Sequence, residues 1–149
     1  MTRLTPDRTR PDTRAGYAHF QAIPTRWADN DVYGHVNNSV YYFYFDTVVN
    51  QWLVEAGLLT VGKSETIGLV VETSCAYFAP ISFPETVTAA LRVARIGTSS
   101  VRYEIGLFRE DDPETAARGH FTHVYVDEKS RRPVPISAIM RQKLGELET

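Results

Sequence analysis

The stretch from Asn37 to Gly57 constrains this chain more than any other. Asn37 or Asn38 makes a good N-cap, because an Asn side chain accepts from the amides that a helix's first turn leaves unpaired. Gly57 supplies the C′ stop. Between them stand Val40, Tyr41, Tyr42, Phe43, Tyr44, Phe45, Val48, Val49, Trp52 and Leu53, which cover nearly the whole helix circumference. A surface helix shows one apolar stripe, whereas a helix apolar all round needs cover on every side. At this length it is too short to span a bilayer. The rest of the domain is therefore expected to enclose it.

The flanking segments supply strands. Tyr17 to Trp27 reads as a first strand running into a loop, and Ile67 to Phe78 as a long second strand. Val87, Ala89, Leu91 and Val93 alternate with Thr88, Ala90, Arg92 and Ala94, which is strand periodicity. Val101, Tyr103, Ile105 and Leu107 alternate again, and Ala116 to Val126 makes a further strand. Ile96-Gly97-Thr98-Ser99 and Asp111-Asp112-Pro113 are turns, while Pro80 and Pro84 bound a loop. A short helix follows from about Ser137 to Leu147. The expected order is one strand, the long helix, then four strands in hairpin connection. Short turns pair consecutive strands antiparallel. The fold class is thus α+β, a curved antiparallel sheet wrapped around one long buried helix.

Composition bounds the remaining possibilities. At 149 residues the chain has the length of one domain, and with 43% apolar residues it can fill a core. A formal net charge of −2 offers no electrostatic case for nucleic acid or an anionic membrane as partner. Cys75 is the only cysteine, so no intrachain disulfide forms. The N-terminus lacks the apolar segment of a secretory signal. These features lead us to expect a soluble, cytoplasmic protein. Residues 1–16 are rich in Thr, Arg, Pro and Asp, and read as a disordered tail ahead of a single domain at 17–149.

Chemistry concentrates in Arg26-Trp27-Ala28-Asp29-Asn30-Asp31-Val32-Tyr33-Gly34-His35-Val36-Asn37-Asn38. A carboxylate in a loop just before a helix start sits beside unpaired amides and the positive end of the helix dipole. Such amides can hold a carbonyl oxygen as negative charge grows on it. The carboxylate can then attack the carbonyl or deprotonate a water. Asp29 and Asp31 are also residues that end strands and cap helices. Asp29 is expected to do only that.

The segment closely resembles the signature of the 4-hydroxybenzoyl-CoA thioesterase family of hotdog-fold proteins. The matching elements are the Asp29-x-Asp31 pair, Gly34 three residues later, and His35-Val36-Asn37-Asn38 opening the helix. Tyr41 and Asp46 fall where that family places an aromatic and an acidic residue, and Tyr77-Phe78-Ala79-Pro80 fits as well. The resemblance implies an acyl-CoA thioesterase with Asp31 as catalytic carboxylate and the carbonyl-polarising amide near Asn38. Plant acyl-ACP thioesterases resemble the stretch Asp31 to Asn38 too, with an Asn two residues after the Asp. Here that position is Tyr33, so their set does not transfer whole. His35 matches their His, leaving it a role in orienting the loop or in proton transfer. Asp46, inside an apolar helix, is expected to pair with a buried donor. Glu72 is read as an outward polar residue.

The same resemblance implies substrate contacts at Gly34, Tyr41, Arg95 and Ser99, with coenzyme A near the turn from Arg95 to Ser99. Arg92, Arg102, Arg131 and Arg132 are further cations for its phosphates. No metal is expected: His120 and His123 stand three apart on a strand, hence on opposite faces. No separate cofactor is implied, since coenzyme A belongs to the substrate. Relatives pair their sheets edge to edge, which implies a homodimer or homotetramer. A non-catalytic module that binds acyl-CoA or acyl-carrier protein is the competing reading, because fold alone does not settle function.

Overall fold

The computed structural model describes residues 10–149. In chain order it contains β1 (His19–Pro24), α1 (Val40–Glu55), β2 (Thr66–Tyr77), β3 (Thr86–Ile96), β4 (Ser100–Arg109), β5 (Ala117–Asp127) and α2 (Ala138–Gly145). The five strands form one sheet in the order β1-β3-β4-β5-β2, antiparallel at every step. The α+β architecture expected from the alternating segments is present.

The strand connections differ from the expected run of hairpins. Only β3, β4 and β5 form a meander; β2 crosses to pair with β5, and β1 pairs with β3. The reason lies in the connection between β2 and β3. It carries Pro80 and Pro84, which cannot donate to a ladder. It also buries Ile81 completely, whose carbonyl accepts the Val36 N–H at 2.7 Å. That anchoring carries the chain across the end of the sheet.

Helix α1 ends as its sequence dictates. Gly57 takes φ +75°, Leu58 N–H reaches the Leu53 carbonyl and Gly57 N–H that of Val54. This is a Schellman stop, which needs a residue tolerant of positive φ. The enclosure is less complete than the sequence suggested. Tyr41, Tyr44, Phe45, Val48, Val49 and Leu53 are buried against the sheet, whereas Phe43 is 64% and Val54 44% exposed. Five strands cover one side of a helix and cannot close round it. Asp46 lies on the uncovered side, exposed, and not beside a buried donor.

The boundary expected at residue 16 does not hold for residues 10–16; residues 1–9 lie outside the described part. Asp12 forms ion pairs with Arg118 at 2.8 Å and Arg92 at 3.2 Å, and Thr13 bridges to Glu114. The Arg14 guanidinium stacks over the Phe108 ring. Tyr17 then packs so closely on β4 that a Cβ on Gly106 would lie 2.7 Å from its ring. A polar segment is held here because its charges meet opposite charges on the sheet.

His120 and His123 do fall on opposite faces. His120 bonds Ser74 and Glu72, while His123 faces inward between the rings of Phe121 and Tyr125. Burial pushes the His123 imidazole down to about 4 from 6.5. Between those values the unfolded chain binds a proton that the folded chain refuses, so stability falls as pH drops from 6.5 toward 4. The loss by pH 4 is about 3 kcal/mol. Urea denaturation at pH 7, 5.5 and 4.5 should show His123→Phe losing less stability than the parent; equal pH dependence would refute the assignment. No helix among the described residues is long and apolar enough to cross a membrane.

Candidate active site

The loop before α1 is built outward from Asp29. Its carboxylate accepts from the Arg26 backbone N–H at 2.8 Å, the Arg26 guanidinium at 2.8 and 3.0 Å, and the Tyr44 hydroxyl at 2.8 Å. Burial alone would raise its pKa, but these donors hold it below the usual carboxylate range. Its carbonyl accepts the Asn37 N–H at 2.8 Å. Asp29 thus ties the loop to α1, the structural role expected of it. Buried at 1% exposure, it is closed to substrate.

Asp31 stands differently. The segment 31–35 closes on itself: Asp31 N–H bonds the His35 carbonyl, and Gly34 N–H bonds the Asp31 carbonyl. Gly34 at φ +79° makes that turn possible, since the conformation strains any residue with a Cβ. The turn leaves the Asp31 carboxylate half-buried, held by the Tyr33 N–H at 2.9 Å and the Asn37 side-chain amide at 3.2 Å.

Asn37 stands two positions ahead of Ser39, which is the N-cap of α1 in place of the Asn37 or Asn38 expected from the sequence. The Asn37 Oδ1 accepts both the N–H and the hydroxyl of Ser39, and the Asn37 carbonyl accepts the Val40 N–H. The Asn38 N–H makes no hydrogen bond among the described residues, although the Asn38 carbonyl accepts the Tyr77 hydroxyl at 2.8 Å. The Tyr77 ring meets Tyr41 edge to face, centroids 4.8 Å apart. Together these groups line an open cavity of about 530 Å³, whose walls include Asp31, Tyr33, His35, Asn38, Tyr41 and the segment from Tyr77 to Pro80.

The structure therefore brings Asp31, His35, Asn38 and Tyr41 to one opening, with Gly34 shaping the turn beside it. Arg95 and Ser99 are elsewhere. The loop packs at the Thr86 end of β3, where Phe83 N–H bonds Asn30 and Thr25 N–H bonds Glu85. Arg95 stands nine residues along that strand, about 30 Å away at roughly 3.3 Å per residue. One chain alone does not join them to the opening. Arg92 is committed to Glu104, Asp12 and the Tyr17 ring, which removes it from the candidates for phosphate binding.

Two members of the site went unnamed as such in the sequence. Tyr77 was visible only within the Tyr77-Phe78-Ala79-Pro80 segment. Asn37 looked like a cap, yet its amide also orients Asp31. Cys75 is close by in sequence but is no nucleophile: burial pushes its thiol up to about 11, keeping it protonated at neutral pH. The chemistry available is therefore a half-buried carboxylate next to a helix entry whose amide at Asn38 is unengaged. That pairing suits attack on an activated carbonyl.

Known proteins share this arrangement of elements. Residues 25–144 match the model of the family described as the thioesterase-like superfamily. The crystal structure of the PA5185 protein from Pseudomonas aeruginosa strain PAO1 superposes with TM-score 0.91 at 52% identity, covering 93% of this chain and 97% of that one. The fold is also that of Slr0204, a 1,4-dihydroxy-2-naphthoyl-CoA thioesterase from Synechocystis, with TM-score 0.78 at 16% identity over 86% of this chain and 96% of that one. A curated relative, the YsmA protein of Bacillus subtilis, is 22% identical over 88 residues, and the match spans 59% of this chain and 59% of that protein's length.

Proposed function

This chain belongs to the thioesterase-like superfamily of hotdog-fold proteins, and from that premise we propose that it hydrolyses an acyl-CoA thioester to free acid and coenzyme A. One observation carries the reading: the Asp31 carboxylate and Asn38, at the entry to α1, line the same opening. The thioester carbonyl oxygen rests on the Asn38 amide. Asp31 either attacks the carbonyl carbon, displacing the thiolate and leaving a mixed anhydride that water then hydrolyses to free acid and carboxylate, or takes a proton from the water that attacks; in both cases the C–S bond breaks and the departing thiolate is protonated to the thiol. His35, exposed on the rim of the same opening, passes the proton to solvent or to the departing sulfur in this reading. The relevant relative acts on a CoA thioester, and the same substrate class is proposed here. A panel of acyl-CoAs with a thiol-trapping dye tests this. Turnover of at least one member is expected; tight binding without thiol release would favour the non-catalytic module instead.

The proposed working form is a homodimer joined through β2. That strand is an edge of the sheet, and it exposes Leu69, Val70 and Val71 at 38, 45 and 60%. An open apolar edge invites pairing. The opposite edge, β1, is half as long and ends in Pro24. Because Tyr77 lies at the end of β2, pairing there would place the second copy beside the opening. The midpoint of β2 falls between Val71 and Glu72, so a symmetric antiparallel pair sets position 71 close to its own copy. Val71→Lys then puts two like charges together. Light scattering should give the parent twice the 16.8 kDa chain mass and the variant a monomer at micromolar concentration. A monomeric parent would refute the dimer.

A further inference from the structure

Asn38 stands one position ahead of the N-cap Ser39, where the hydrogen-bond ladder of α1 has not yet begun. The two peptide units that flank it present a carbonyl and an N–H each. The Asn37 carbonyl accepts the Val40 N–H at 2.9 Å. The Ser39 N–H goes to Asn37 Oδ1 at 3.0 Å. The Asn38 carbonyl accepts the Tyr77 hydroxyl at 2.8 Å. That leaves the Asn38 N–H, which has no partner among the described residues. An amide that stabilises charge on a substrate oxygen works best when it is fixed beforehand. Here the fixing is done by the bonds on the other three groups.

Two of those bonds are local and lie at a helix entry, where backbone frays. The third comes from the sheet. Tyr77 ends β2 in register with Ala117 of β5, and the N–H groups of Phe78 and Ala79 both reach the Ala116 carbonyl, at 2.8 and 3.0 Å. The Tyr77 ring rests edge to face on Tyr41, which is buried. Its hydroxyl is therefore carried on a rigid base. Helix α1 offers no substitute for it. The Tyr42 N–H, which a regular ladder would aim at the Asn38 carbonyl, goes to that of Ser39 at 3.3 Å.

A phenol has one proton to donate. Burial, and then the neighbouring Cys75 and Tyr42, push the Tyr77 pKa up, so the hydroxyl stays a donor at neutral pH and above. With that proton committed to Asn38, Tyr77 reaches the reaction only through Asn38.

We propose that Tyr77 is a positioning residue, whose hydroxyl pins the Asn38–Ser39 peptide and so holds the Asn38 N–H where the thioester oxygen gathers charge. This rests on the reading of Asn38 as the carbonyl-polarising amide. Tyr77→Phe keeps the ring and its contact with Tyr41 and removes only the bond to Asn38. In the full chain it should lower kcat for the best acyl-CoA of the panel by about 30-fold, short of the roughly 10²- to 10³-fold that follows outright loss of such a donor. KM should stay within about twofold, since the amide acts on charge that appears only in the transition state. Replacing Tyr77 with 4-aminophenylalanine, which restores a donor on the same ring, should recover most of the lost kcat. A second readout needs no turnover. Asp31→Asn holds the same acyl-CoA, labelled with carbon-13 at the thioester carbonyl, and its infrared stretch should fall on binding. Adding Tyr77→Phe should abolish about half of that fall or more. An unchanged kcat, a loss that appears only in KM, or an unchanged stretch in a folded Tyr77→Phe chain would overturn the proposal. If Tyr77→Phe does not fold, a folded but inactive 4-aminophenylalanine variant overturns it equally. A parent that turns over no acyl-CoA would defeat the hydrolase reading itself; an active parent with an unaffected Tyr77→Phe defeats only the role of Tyr77.

Discussion

Asp31→Asn is expected to lower kcat for the best acyl-CoA by about 10³-fold, the scale on which a positioned acid or base contributes. The substitution is close in shape. Its oxygen can still accept the Tyr33 N–H, while its new amide meets the Asn37 amide, which must rotate. The turn is otherwise closed by backbone bonds, from Asp31 N–H to the His35 carbonyl and from Gly34 N–H to the Asp31 carbonyl. Fold, oligomeric mass and KM should therefore change little. What disappears is the lone pair that attacks the carbonyl or takes the proton of water. The measurement is steady-state thiol release, with circular dichroism and light scattering as controls. Undiminished kcat in a correctly folded variant would remove Asp31 from the mechanism and leave the opening without a catalytic carboxylate, since Asp29 is buried beneath Arg26 and Tyr44.

Gly119→Ala should be the most destabilising methyl group that can be added to the sheet. A Cβ there would lie 2.3 Å from the Ser74 carbonyl oxygen and 2.4 Å from the Phe45 ring. Neither neighbour has room to retreat. Ser74 belongs to β2, in register with β5, and Phe45 is fully buried in the centre of α1. Overpacking of a closed site usually costs 1–3 kcal/mol, and a backbone clash adds to that, so a loss of roughly 3 kcal/mol or more is expected. In thermal melts this corresponds to a fall of about 10 °C for a chain of this size. Adding Phe45→Ala should not rescue the variant, because the Ser74 carbonyl remains in the way. A Gly119→Ala melt within 2 °C of the parent would mean that α1 does not press on β5 as described.

Much of the site was legible because it is local. Asp31, Gly34, His35, Asn38 and Tyr41 lie within eleven positions, and one turn followed by one helical turn gathers them without help from the rest of the chain. The helix stop at Gly57 was legible for the same reason. What was not legible depends on residues far apart. Tyr77 reaches Asn38 across 39 positions, and Asp12 reaches Arg118 across more than a hundred. Neither spacing leaves a periodic signal. Arg95 illustrates the converse: the resemblance places it by the substrate, yet β3 carries it to the far end of the sheet from Asp31.

Taken alone, the amino-acid order determined the elements, their class and the local turn that presents Asp31, since those follow from periodicity, caps and glycine conformations that each residue imposes on its neighbours. Tertiary structure alone decided that β2 pairs with β5 and not β3, that α1 is covered on one side, and that Tyr77 reaches Asn38 from the end of β2. Those outcomes depend on which surfaces meet across the sheet, and a surface's partner is chosen by packing, not by its own composition.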